Sequence, residues 1–220
     1  MAAVRRGCKF EPAIYPFTPK MPTLWTSTSA RDWQAALDTY TDVVDAQGVA
    51  RLTELDRWFR DELPGLVAAR RPAHVTSTEL VRLTEWKMAR GVWRAPNLVL
   101  VRSNAPDDVV RTSAAALATV PHATAPIAAL AKLKGVGPAT ASAAASAFAP
   151  TVYPFFDELV AAQVPALGPV AWTLGFYARY AEAIRARAGA LGAGWTPVMI
   201  ERALWAHVGG KAGVARKSTR

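Results

Sequence analysis

The sequence predicts an all-α protein built as a bundle of short helices. Three observations carry that prediction. Apolar residues recur every three to four positions in one segment after another, the period of a helix packed on one face. Alanine, the strongest helix former, fills several of these segments, while strand signals are scarce. The 220 residues are 51% hydrophobic and 20% charged, enough to close a core within one domain.

Taken in order, residues 1–27 hold four prolines and little periodicity, which predicts an extended N-terminal arm. The helical domain is expected over residues 28–208. Ser29 and Asp32 have the spacing of a capping box, in which each side chain satisfies an exposed backbone amide. Trp33, Leu37, Tyr40 and Val44 then follow at helical spacing, with Gly48 as the stop. A second helix fits Leu52 to Leu63, with Leu52, Leu55, Trp58 and Phe59 inward. Thr76 and Glu79 form another capping box and open a helix that runs through Met88. Asn97 to Val101 reads equally as a short strand or a helix. Asn104 is placed to cap the helix that follows. Further helices are expected over Pro106–Val120, Thr124–Leu133, Pro138–Phe148, Glu158–Val164, Val170–Ala188 and Thr196–Val208. Residues 209–220, with Lys211, Arg216, Lys217 and Arg220, read as a basic, frayed tail.

Composition also excludes several function classes. One cysteine, Cys8, rules out an internal disulfide framework and any four-cysteine zinc or iron–sulfur site. His74, His122 and His207 lie far apart without metal-ligand spacing, so neither metal nor cofactor is expected. No apolar run reaches the roughly 18 residues of a membrane span. The net charge of +9 favours a polyanionic partner, nucleic acid first. Arg5, Arg6 and Lys9 are compatible with a short targeting signal but lack a long amphipathic pattern. An intracellular monomer is expected, in the nucleus, the nucleoid or an organelle.

The stretch Leu130–Phe148, LAKLKGVGPATASAAASAF, carries the sharpest signal. Gly135 and Gly137 flank Val136, which can tuck under a tight turn, and glycine permits another backbone to approach closely. Pro138 suits the first position of a helix, where its missing N–H costs nothing. Thr140, Ala141, Ala144 and Ala145 keep the second helix thin. Consecutive amides in a turn leading into a helix N-terminus make an anion site that grips a phosphate without reading a base. Lys134, Gly135, Val136, Gly137, Pro138 and Thr140 are the candidates for that grip.

These residues resemble the helix-hairpin-helix motif of the base-excision DNA glycosylase superfamily, which carries Leu-x-x-Leu-x-Gly-Val-Gly-x-x-Thr-Ala. The resemblance covers roughly Ile127 to Leu159, with the hairpin itself over 127–148. It implies a DNA-glycosylase-like bundle that binds double-stranded, lesion-bearing DNA. It also implies a catalytic aspartate shortly beyond the second hairpin helix, here Asp157 in YPFFDELV. That carboxylate would stabilise positive charge on the sugar as the N-glycosidic bond breaks, or activate a water. The same aspartate suits a helix N-cap, and the two roles are compatible. Bifunctional members carry a lysine at the position of Ala139, so the resemblance implies a monofunctional enzyme without a covalent intermediate. The cluster-binding cysteines of some members are also absent.

A second constellation lies in LTEWKMARGVWRAPNL. Lys87, Arg90 and Arg94 are candidate phosphate contacts, and Trp86 and Trp93 candidate stacking platforms for an unstacked base. A partly buried helix with core tryptophans and solvated cations fits the same residues. Arg102 adds a further candidate for phosphate. Trp172, Phe176, Tyr177 and Tyr180 recur at helical spacing and read as core. Two other functions fit the chain: a non-catalytic DNA-binding module using the same hairpin, and a helical protein-interaction domain in which Gly-Val-Gly-Pro is only a tight turn.

Overall fold

A computed structural model describes residues 23–218, and every element among them is helical. The helices are α1 (Ala30–Asp38), α2 (Tyr40–Asp45), α3 (Leu52–Arg57), α4 (Leu63–Ala68), α5 (Ser77–Arg90), α6 (Ala95–Arg102) and α7 (Pro106–Leu117). They continue with α8 (Ala125–Leu130), α9 (Pro138–Phe148), α10 (Glu158–Ala161), α11 (Leu174–Leu191), α12 (Pro197–His207) and α13 (Gly210–Ser218). The segment Asn97–Val101 lies inside α6, so the ambiguity between strand and helix resolves to helix. Most of the expected N-terminal arm, with Cys8 and its cations, lies outside the described residues; its end, Leu24–Thr26, is a 3₁₀ turn.

Local signals explain most helix starts. Thr76 accepts a bond from the Glu79 amide and Glu79 answers from the Thr76 amide, so the capping box forms as expected. The box expected at Ser29 does not form. There Ser27 Oγ donates to Asp32 at 2.6 Å and accepts from the Ser29 amide, so the cap is supplied two residues earlier. The helix from Leu52 passes through a π-helical turn, Trp58–Glu62, and continues as α4 to Ala68. It outlasts its expected end because Pro64 falls in the first turn of α4, where proline is tolerated. The C-terminal segment is not frayed: residues 210–218 form α13.

Helix α9 is the centre of the bundle. Every residue from Ala139 to Ala147 is buried, and α4, α5 and α8 pack on it. Small side chains on all faces permit this, since a helix of alanine and serine lets neighbours approach closely. The second half of the bundle joins α1, α2 and α11 to α12.

The chain between α9 and α10 matters most for the site. Residues Tyr153–Asp157 are buried yet belong to no regular element, so their backbone groups need other partners. Ser142 on α9 accepts from the Phe156 amide at 2.9 Å. Tyr180 on α11 donates to the Phe155 carbonyl at 2.7 Å, and Tyr177 to the Pro154 carbonyl at 3.4 Å. One serine and two tyrosines on two helices thus pin the extended segment that delivers Asp157.

Candidate functional site

A cavity of about 310 Å³ opens where the end of α5, the start of α9 and the Phe155–Leu159 segment meet. Lys87, Arg90, Gly91 and Val92 form one wall; Gly137, Pro138, Ala139 and Thr140 form another. Phe155–Leu159, Arg94, Asn97, Trp172 and Lys211 complete the lining.

Each element places its side chains for a local reason. The turn before α9 is held by Asn104, whose amide donates to the Lys134 carbonyl at 3.0 Å and accepts from the Lys134 amide at 2.9 Å. Asn104 therefore staples the turn to the end of α6 instead of capping α7, whose N-cap is Ala105. Gly135 has a φ of +73°, and a Cβ there would lie 2.7 Å from the Asn97 carbonyl oxygen. Only glycine fits. Gly137 differs, since a Cβ would meet nothing within 4 Å and its φ is −94°. Val136 is buried beneath the turn, while Lys134 and Gly137 are exposed.

Asp157 is the N-cap of α10. Its Oδ1 accepts from the Leu159 amide at 2.8 Å, and its Oδ2 lies 3.3 Å from Arg90 Nε. The residue is 8% exposed, and that remainder faces the cavity. Arg90 is 3% exposed and sits in an aromatic cage of Trp205, Trp86, Phe155 and Tyr40. It donates to Glu201 and to the Tyr40 hydroxyl. Tyr40 in turn donates to Asp56 at 2.7 Å, and Asp56 also accepts from Trp86 Nε1 at 3.0 Å. Burial pushes the Glu201 carboxyl up to about 7, against the lowering pull of Arg90, with Asp157 adding to the rise. Burial also lowers the Lys87 amine below the usual lysine value, and Arg94 adds to this while Asp157 opposes it.

The cavity sorts the sequence-predicted residues. Lys87, Arg94, Gly137, Pro138, Ala139, Thr140 and Asp157 come together at it. Lys134 lies on the exposed turn outside it. Arg102 is also outside, 3.1 Å from Glu85, on the surface. Trp93 is 56% exposed between α5 and α6 and does not line the cavity. Trp86 is no stacking platform: it is fully buried, parallel to Phe59 with centroids 3.7 Å apart. Arg90 is likewise no surface phosphate contact, because its carboxylate partners and aromatic cage hold it inward. Thr140 and Val136 are buried and support the turn from below.

Three lining or supporting residues escaped the sequence reading. Trp172 was expected in the core but precedes α11, which Thr173 caps; it is 43% exposed at the cavity and 4.9 Å from the Phe156 ring. The Thr173–Phe176 spacing is the signal that marks the later helix start. Glu201 is a lone acid in the apolar run PVMIERALWA, a pattern that demands a buried partner. Lys211 lines the cavity because the tail is helical, with its Nζ donating to the Gly91 carbonyl. Among the described residues no three His, Cys, Asp or Glu side chains gather as a metal site requires, and no helix is long and apolar enough to cross a membrane.

Comparison with known proteins returns no matching family model, no matching curated protein and no matching solved structure, so the resemblance stands on the hairpin residues and Asp157 alone.

Proposed function

We propose that the chain binds duplex DNA and releases a damaged or mispaired base by hydrolysis, as a monofunctional glycosylase does. The observation that carries this reading is convergence: the start of α9, Asp157 and the half-exposed Trp172 all border one cavity. The α9 turn supplies a backbone grip for one phosphate, aided by Lys134 at its edge. A base turned out of the stack at a cost of a few kcal/mol would lie against Trp172. Positive charge growing on the sugar would meet the Asp157 carboxylate, already oriented by the Leu159 amide and Arg90. No proton-transfer group beyond Asp157 is required for that stabilisation.

Binding without chemistry is the second reading. It is favoured by the engagement of both Asp157 oxygens, one in a cap and one beside Arg90. A protein-interaction role for the turn has less support, because Lys134 and Gly137 are exposed instead of covered by neighbouring helices.

A panel of lesion-bearing duplexes, with abasic sites revealed by alkali, tests the enzyme reading. Release from at least one duplex is expected. Tight binding with no release from any would leave the clamp. Affinity should fall steeply between about 50 and about 200 mM salt as phosphate contacts release counterions; a flat response would remove nucleic acid as the partner.

A further inference from the structure

Lys87 and Arg94 line the cavity without a partner for their charge: neither makes an ion pair or a side-chain hydrogen bond among the described residues. Lys87 reaches it from α5, partly buried, and Arg94 from the exposed loop ahead of α6. They stand close enough that Arg94 helps to push the Lys87 amine below its usual value. Lys211 on α13 adds a third cation to the lining, tethered to the Gly91 carbonyl. The acids of the lining, Asp157 and Glu158, both come from the head of α10. Cations and acids therefore enter the cavity from different elements. Like charges held together in a partly buried site repel, and an anion between them relieves that cost. Trp172, 43% exposed, gives the same lining an aromatic wall. Unpaired cations and an aromatic wall suit a flat ring that carries negative charge.

We propose that Lys87 and Arg94 form an anion subsite for the departing base, so that the preferred substrate carries an acidic, electron-poor base that leaves as a stable anion. This names the substrate class of the excision reading and rests on it. As the C1′–N bond breaks, its electron pair stays on the base nitrogen. Charge then separates, positive on the sugar and negative on the ring. Asp157 serves the first and the Lys87–Arg94 pair the second. Water adds its oxygen to C1′ and gives up a proton. The base anion takes a proton from the Lys87 ammonium, which recovers the one that water released. No oxidant, reductant or covalent bond to the protein is needed. An amine pushed down is the better proton donor, so the shift at Lys87 acts in the same direction. A cationic, alkylated base meets repulsion from the same pair.

The test begins with calorimetry on the full chain, using free rings of different charge. Barbiturate is a pyrimidine ring that is anionic at neutral pH, uracil is a neutral ring and 3-methylcytosine a cation. Barbiturate should bind at least about tenfold more tightly than uracil, and 3-methylcytosine most weakly. The advantage of barbiturate should vanish in Lys87→Gln and in Arg94→Gln while uracil still binds, and Lys87→Arg should keep it. Lys132→Gln, at an exposed site outside the cavity, should change nothing. The ring series on the unaltered chain, and Arg94 being exposed, keep the test valid if Lys87→Gln fails to fold. Uracil binding as tightly as barbiturate would overturn the proposal. Inorganic phosphate displacing barbiturate at an equal or lower concentration would make the pair a backbone contact and overturn it too. A second arm follows single-turnover release of 5-fluorouracil, uracil and thymine, in falling order of acidity, from duplexes. Lys87→Gln should slow thymine release at least about tenfold more than that of 5-fluorouracil. Equal slowing of all three bases, or faster release of 7-methylguanine than of 5-fluorouracil, would overturn the proposal. No release from any duplex, with the barbiturate advantage intact, would sink the excision reading and leave the anion subsite standing. Release without that advantage would sink this proposal alone.

Discussion

Arg90 Nε lies 3.3 Å from Asp157 Oδ2, and the same guanidinium donates to Glu201 on α12. This contact joins the cavity to a network that runs through Tyr40 on α2 to Asp56 on α3 and back to Trp86 on α5. Burial disfavours the Arg90 charge, yet Glu201, Tyr40, Asp157 and Asp56 together outweigh it and hold the guanidinium protonated. An arginine so fixed acts as a rigid backstop for the carboxylate in front of it.

Asp157→Asn preserves the cap on α10, because asparagine caps about as well as aspartate. It removes the charge that faces the cavity. Base release in single-turnover assays should fall by orders of magnitude, the roughly 3 kcal/mol of one electrostatic stabiliser. Duplex binding should hold or tighten, since a carboxylate near phosphates is repelled. A variant that releases base at the native rate would strip Asp157 of a catalytic role.

The two glycines of the turn separate folding from binding. Gly135→Ala puts a Cβ 2.7 Å from the Asn97 carbonyl oxygen on a positive-φ backbone. It should destabilise by at least about 1–2 kcal/mol, read as a lower melting temperature. Gly137→Val meets open space and should melt close to the native chain while binding duplex more weakly. Native affinity in Gly137→Val would take the turn out of the interface.

Two tryptophans make a similar contrast. Trp86→Ala empties a fully buried site against Phe59 and removes one of the donors to Asp56, so a loss of about 3–5 kcal/mol is expected in denaturant melts. Trp172→Ala should change stability little but weaken binding of a duplex with an extruded base by about 1–3 kcal/mol. Equal losses of stability in both variants would place Trp172 in the core after all.

Glu201 gives the fold a pH signature. Its carboxyl titrates near 7 when folded, against an ordinary value of 4.5, so between these the folded chain holds a proton that the unfolded chain has lost. Stability from this site is therefore full below the ordinary value and declines as pH rises toward 7. Glu201→Gln removes the titration. Melting temperatures of the two proteins, compared across that range, should diverge with rising pH to the disadvantage of the native chain. A constant difference would mean that Glu201 stays ionised throughout.

Much of the helical layout was legible in the chain. Periodicity, the Thr76–Glu79 box and Pro138 after Gly137 are local signals, and local hydrogen bonding satisfies them wherever the helix later packs. The turn chemistry of Gly135 was readable for the same reason. The start of α11 slipped because Thr173 caps it, while α1 starts where Ser29 predicted although Ser27 supplies the bonds expected of the box. The candidate site was legible only in part. Asp157, Lys87, Arg94 and the start of α9, singled out in the sequence for separate roles, border one cavity, whereas Trp86 is fully buried and Arg90 is held by its carboxylate partners. Spacing along α5 tells which residues share a face but not which face the bundle buries.

The sequence by itself determined an all-helical chain, the position of its tight turn, a basic balance, and a carboxylate at the head of α10. Tertiary structure alone decided what surrounds that carboxylate. Arg90, Glu201, Trp172 and Lys211 come from α5, α12, the α11 approach and α13, separated by tens of residues. Nothing local links them. Their meeting depends on how an alanine-rich α9 lets its neighbours close in, and on a buried charge network that only long-range packing can assemble.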